Sequence, residues 1–239
     1  MTLPKLITPE FSMKIPSTKQ EIKYRPFLVK EEKVLYIALE GGDPKEIENA
    51  ILNVLEVCIL TPNVEIRKLP SYDIEYLFIN LRGKSVSEIV NMNVNHAEYK
   101  ECKHTTNIEF DVNEIEVEFN EDHINKINIV DNIGIQFKDP SLSDLVSKEI
   151  NLNDTEDYDN ILNIVANCID VVYDKEDVYT DFTKKEILDF LGELTQPQFL
   201  KIQEFFDTMP KLKKELNWTC EECGEDDKVV IEGLQNFFV

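Results

Sequence analysis

The chain has 239 residues, 42% of them hydrophobic, enough to bury a core of its own. Its 47 acidic and 25 basic side chains leave a formal charge of -22, which repels nucleic-acid phosphates and anionic membrane surfaces and points to protein as the partner. No stretch reaches the roughly 18 continuous apolar residues of a membrane span, and the Met1 end carries no apolar leader. A soluble protein of a reducing cytosol is expected, its five cysteines unpaired.

In chain order, Phe11–Ile15 and Glu21–Tyr24 alternate with period two around Pro16-Ser17-Thr18-Lys19, predicting an opening hairpin. Leu28 to Leu39 predicts an amphipathic helix stopped by Gly41-Gly42, and Asp43-Pro44 restarts it with a cap and a proline at the first helical position. Ile47, Ala50, Ile51, Val54, Leu55 and Cys58 then share one apolar face. Behind Leu69-Pro70-Ser71, a third helix repeats Ile74, Leu77, Phe78 and Leu81. From Val86 to Phe137 the period changes to two, which predicts a mostly antiparallel β region with one wet face.

After Pro140 helices return. An acidic link, Asn151 to Asp159, leads to Ile161, Ile164, Val165, Cys168, Ile169 and Val172 on one expected helical stripe. Thr183 with Glu186, and Thr195 with Gln198, form capping boxes for two more helices, the second with an aromatic face of Phe199, Phe205 and Phe206. Lys211-Leu212-Lys213-Lys214 reads as a solvated turn. The fold class is α+β, with helical parts flanking a β region and a division into residues 1–150 and 151–239.

The densest chemistry lies in Cys220-Glu221-Glu222-Cys223-Gly224, followed by the alternating Lys228–Leu234. Two cysteines two residues apart, with a glycine able to take a left-handed turn, make a metal knuckle that supplies half of a tetrahedral zinc site. A weaker copy stands upstream: aligning Cys102 on Cys223 places Ile108 and Phe110 on Val229 and Ile231, with Tyr99 where the other cysteine would be. The expected ligands are Cys102, Cys220 and Cys223 with His104, or alternatively His96, as the fourth, and the two knuckle strands are expected to pair. The competing readings are a metal-free knuckle kept for packing and a thioredoxin-type redox pair. The second fits poorly, because this motif opens a strand.

Other chemistry is sparse. Seven glycines form no phosphate cradle, and neither a G-x-S-x-G elbow nor an H-E-x-x-H helix occurs. The three histidines, His96, His104 and His123, sit among polar β residues, and a non-enzymatic protein is expected. A zinc-ribbon regulator would share the knuckle but should carry a basic face. A small hydrolase is the enzyme alternative.

Three blocks of wording carry a resemblance. Ile22–Lys33 (IKYRPFLVKEEK) with Ala38-Leu39-Glu40, then Lys68–Phe78 through Leu81–Val86, then the Cys220/Cys223 knuckle with Gly233–Phe238 resemble the baseplate hub subunit family of T-even-like contractile-tailed bacteriophages. The resemblance implies a viral protein made in the host cytoplasm that acts in construction of the tail baseplate hub. Its partners would be other hub proteins, as a virion component or as an assembly factor or chaperone absent from the finished particle. The wording is densest between Tyr24 and Val86, and Arg25, Lys30, Glu31 and Arg82 are the partner-binding residues expected there.

Overall fold

The structure is a computed structural model that describes residues 6–96, 102–145 and 158–233. It is α+β, and every strand pair among the described residues is antiparallel. The opening hairpin forms as expected, β1 (Phe11–Lys14) on β2 (Glu21–Tyr24). Lys19 takes a left-handed φ of 58° in the connection. The Ser17 hydroxyl and backbone N–H both donate to the fully buried Asp73 carboxylate, which ties the turn to a helix 56 residues away.

Helices α1 (Val29–Gly41), α2 (Pro44–Cys58) and α3 (Ser71–Ser85) follow. Gly42 ends α1 at φ 68°, and the Asp43 carboxylate accepts from the Lys45 and Glu46 N–H groups to open α2. Ile22, Leu35, Ile51, Leu55, Leu77, Phe78 and Leu81 join them in a first core. α3 is buried on more than one side: Ile74, Leu77 and Leu81 face that core, while Ile79 enters a second cluster with Val90, Phe110, Val112, Leu212 and Ile231. The ribbon strands are therefore packed on the back of α3.

Those strands form two separate sheets. β3 (Ile89–Val94) pairs with β4 (Thr106–Asp111), and β5 (Glu116–Glu118) lies on β10 (Lys211–Thr219), which pairs on its other side with β11 (Asp226–Glu232). The expected pairing of the two knuckle strands is corrected here, since β4 and β11 each bond within their own hairpin. Each hairpin already satisfies the backbone groups facing its partner, so the two meet through side chains. Lys211–Lys214 is also no turn: it opens β10, with Leu212 buried and Lys211, Lys213 and Lys214 paired to Glu232, Glu118 and Glu114. Alternation around Leu212 and acidic neighbours make a lysine-rich strand tolerable.

The remaining sheet orders β6 (Lys126–Val130), β7 (Ile133–Phe137), β8 (Ile169–Tyr173) and β9 (Val178–Tyr179). It packs on α5 (Tyr158–Cys168), α6 (Lys184–Gly192) and α7 (Gln196–Thr208), with the short α4 (Leu142–Leu145) before them. The expected helical stripe is therefore split: α5 ends at Cys168, and Ile169 and Val172 belong to β8. Helical and strand spacings coincide over so short an apolar run, and the β-branched Ile169, Val171 and Val172 decide for a strand. Gly134 in β7 leaves room for the Tyr173 ring, which would have to move aside for any Cβ there. The expected division at residue 150 and most of the acidic link lie outside the described residues. β6 and β7 before that point share their sheet with β8 and β9 after it.

Candidate metal centre

Both Cys220 and Cys223 come from the turn between β10 and β11. Gly224 adopts φ 74°, its N–H donates to the Cys220 carbonyl at 3.0 Å, and the Cys220 N–H donates to the Glu225 carbonyl at 2.9 Å. This turn aims both sulfurs towards the β3–β4 hairpin. Cys102 lies ahead of β4 and His96 just beyond the end of β3.

The four residues His96, Cys102, Cys220 and Cys223 bring one donor atom each to within 4.8 Å of one another. The Cys102 and Cys220 sulfurs are 3.8 Å apart, and the Cys223 sulfur is 3.3 Å from His96 Nε2. A tetrahedron with zinc–sulfur bonds of about 2.3 Å has an edge of about 3.8 Å, so the closest pairs already stand at ligand spacing. The longest separations need to contract by about 1 Å. Three thiols and an imidazole form a donor set suited to a divalent zinc-like ion.

Charge is arranged accordingly. N–H groups of Cys223 and then Glu222 point at the Cys220 sulfur and, against its burial, lower its pKa to about 6. The hydrogen bond to Asp227 raises that of His96 to about 9, while the same bond lowers Asp227. Around the sulfurs, Val94 and Trp218 are buried, with Met92, Ile108 and Val229 packed against them. These residues include the matching positions Ile108 and Val229 of the two knuckles.

His96, the alternative fourth ligand, occupies the cluster, and His104 does not. His104 Nδ1 lies 3.2 Å from Glu222 and its Nε2 3.9 Å from Glu221, outside the four donors. The sequence offers His104 as the fourth ligand with His96 as the alternative. The β3–β4 register decides otherwise, since the pairing of Val94 with Thr106 brings the ends of both strands to the knuckle. Tyr99, which stands in the place of a cysteine, lies outside the described residues. So does the closing wording from Leu234 to Phe238.

The expected partner-binding residues divide. Arg25 and Glu31 face each other, Nη2 to Oε1 at 3.2 Å, with Lys30 3.4 Å from the same carboxylate oxygen. Glu31 is buried and also accepts the Leu28 N–H that opens α1, so this pair is an internal brace. Burial works to raise the Glu31 pKa, but the bonds from the Leu28 N–H, Arg25 and Lys30 outweigh it and leave the carboxyl below its ordinary value. Lys30 points to solvent. Arg82 is half-buried, and among the described residues its Nη1 has no hydrogen-bond partner. Burial lowers its pKa, opposed by Tyr36 nearby.

An acidic α+β chain with antiparallel ribbons gathered around a Cys3His cluster is thus the class that fold and site define. The family described as T4 bacteriophage base plate protein matches over residues 8–239, and the chain belongs to it. No curated protein and no solved structure matches the chain. Among the described residues no helix is long and apolar enough to cross a membrane.

Proposed function

We propose that this protein acts, without catalysing a reaction, in the baseplate hub of a contractile phage tail, binding other hub proteins during baseplate and tail assembly in the host cytoplasm. The observation that carries the reading is the family match over nearly the whole chain. The surface that suits such contacts is the outer face of α1, where Val29, Tyr36 and Ile37 are 80%, 60% and 57% exposed on the same helix as the exposed Lys30 and Lys33. Copies of a chain at -22 repel one another, which favours a different protein as partner. Arg82, with its buried unpaired nitrogen near Tyr36, is the polar anchor of that face. The same charge speaks against nucleic acid and anionic membranes as partners and against a zinc-ribbon regulator.

The ion suited to the Cys3His cluster is Zn2+, in a structural role that holds two hairpins together. The test of the hub reading is complementation of a phage lacking the gene by Ile37→Asp and Arg82→Ala variants. Few assembled tails at an unchanged melting temperature are expected, and normal tail yield from the folded variants overturns the docking face. Comparing a pull-down from infected cells with the protein content of purified virions separates a hub component from an assembly factor that leaves before completion.

A further inference from the structure

The imidazole of His96 is gripped from two directions. Its ring lies tilted against Trp218, at a centroid distance of 4.8 Å and 34° between planes, and its Nδ1 lies 2.7 Å from Asp227 Oδ2. Trp218 and Asp227 are cross-strand partners in the β10–β11 hairpin. Directly opposed residues of an antiparallel pair project on one face, so the hairpin presents an aromatic plate and a carboxylate together. Asp227 is itself held, because its other oxygen accepts the Lys228 N–H at 2.8 Å. With Nδ1 engaged by Asp227, Nε2 is the nitrogen that faces the sulfurs, 3.3 Å from Cys223 Sγ.

From this geometry we infer that Asp227 is the positioning residue of a divalent-metal centre. It accepts the Nδ1–H of His96 and so fixes Nε2 as the fourth donor beside the thiolates of Cys102, Cys220 and Cys223. Carboxylates that hold a ligating histidine in this way set its tautomer and ring orientation and raise its basicity. A further consequence follows from connectivity. Cys220, Cys223, Asp227 and Trp218 belong to β10–β11, whereas His96 and Cys102 belong to the β3–β4 side. The ion is then a clasp between two sheets that share no backbone pairing, and Asp227 sets the angle at which the clasp closes.

This inference rests on the zinc reading above, and the experiment separates the two. The full chain is purified, its zinc content measured, and its affinity determined by competition with a chromogenic chelator. Cobalt(II) is then substituted and its visible spectrum recorded. One zinc per chain is expected, with a cobalt spectrum of a tetrahedral thiolate site. Asp227→Ala should weaken zinc binding 10- to 100-fold. Asp227→Asn, whose amide oxygen still accepts from Nδ1, should restore most of the affinity. His96→Ala should alter the cobalt spectrum, and His104→Ala should leave it unchanged.

The emission of Trp218, the sole tryptophan, reports on the same ring and should be quenched by cobalt. Wild-type protein that takes up neither metal overturns the zinc reading and the clasp together. Zinc-loaded wild type with an equally tight Asp227→Ala variant overturns only the positioning role. A cobalt spectrum changed by His104→Ala but not by His96→Ala overturns the ligand assignment.

Discussion

The first core and the knuckle cluster both hold a β-hairpin against its neighbours, but with very different amounts of apolar surface. Among the described residues, the first gathers eighteen buried side chains, most of them from β1, β2 and the three helices around it. The second has three, Val94, Trp218 and Cys220. At about 25 cal/mol per Å2 of apolar burial, the first can order its own backbone, whereas a cluster of three side chains cannot offset the entropy of the residues it fixes. Small units of that kind are held by cross-links or metals. The donor atoms lie at the ends of β3 and β10 away from the cluster of Ile79, Val90, Phe110, Leu212 and Ile231, where buried apolar side chains are fewest, and an ion bound there would take the place of a core.

Chelation is the most severe way to sharpen that contrast. A complete zinc site contributes on the order of 10 kcal/mol to folding of the unit that binds it. Treatment with a strong chelator should therefore abolish amide-exchange protection from Trp218 to Val230 and shift Trp218 emission, while amides of α2 and α3 keep theirs. Loss of protection throughout the chain would show that the knuckle supports the first core. No loss anywhere would show that packing alone holds the knuckle.

Phe78→Ala strikes the opposite region. Phe78 is 1% exposed within the first core, and truncating a buried phenylalanine costs about 3–5 kcal/mol. The melting temperature should fall sharply while the zinc content of the protein that remains folded is unchanged. A variant that melts normally would mean that the first core repacks freely.

Arg25→Ala tests a polar brace inside the same region and should cost less, about 2 kcal/mol. The estimate takes the low end of what breaking a buried pair costs, because Glu31 keeps its Leu28 N–H and Lys30 contacts. The sign of its pH dependence is set by Glu31, whose pKa is lowered in the folded chain. Such a group stabilises at pH above its unfolded value, and the contribution is lost as pH falls through the folded one. The difference between variant and wild type should therefore shrink below about pH 4, read from denaturant midpoints at a series of pH values.

What was legible in the sequence follows from how local each feature is. The caps at Asp43, Thr183 and Thr195, the stop at Gly42 and the left-handed Gly224 are fixed by a few neighbouring residues, and all are found. The helix-to-strand switch at Cys168 was misread because a five-residue apolar strand following a helix carries the same stripe. Cys102 was reached through an internal echo of offsets, yet His96 over His104 depends on the β3–β4 register, which no spacing rule contains. Asp227 carried no signal beyond its place seven residues after Cys220, since in a chain with 47 acidic residues one more aspartate is inconspicuous. Arg25 and Glu31, part of the block that carries the resemblance, meet at the entry into α1.

The seam between the two regions gives the mildest and most specific test. Glu75 lies on α3, half-buried, with its carboxylate 3.9 Å from where a Cβ would stand on Gly233 at the end of β11. Burial first, and then the charge of Glu232, raise its pKa to about 7. Lys211 stands 3.2 Å from Glu232 and partly screens that charge. A raised carboxylate is protonated in the folded chain while ionised in the unfolded one. Its contribution is therefore fully present below the unfolded pKa of about 4.5 and is lost as pH rises through about 7. Glu75→Gln keeps the shape and removes the titration. It should be more stable than wild type by roughly 1–3 kcal/mol at pH 8, with the difference vanishing near pH 4. Denaturant unfolding of both proteins across this range measures it, and taking the difference cancels the repulsion that -22 charges impose on each. A constant offset at every pH would mean that the carboxylate at the seam is solvated and that the ribbon is held on α3 by Ile79 and its apolar neighbours alone.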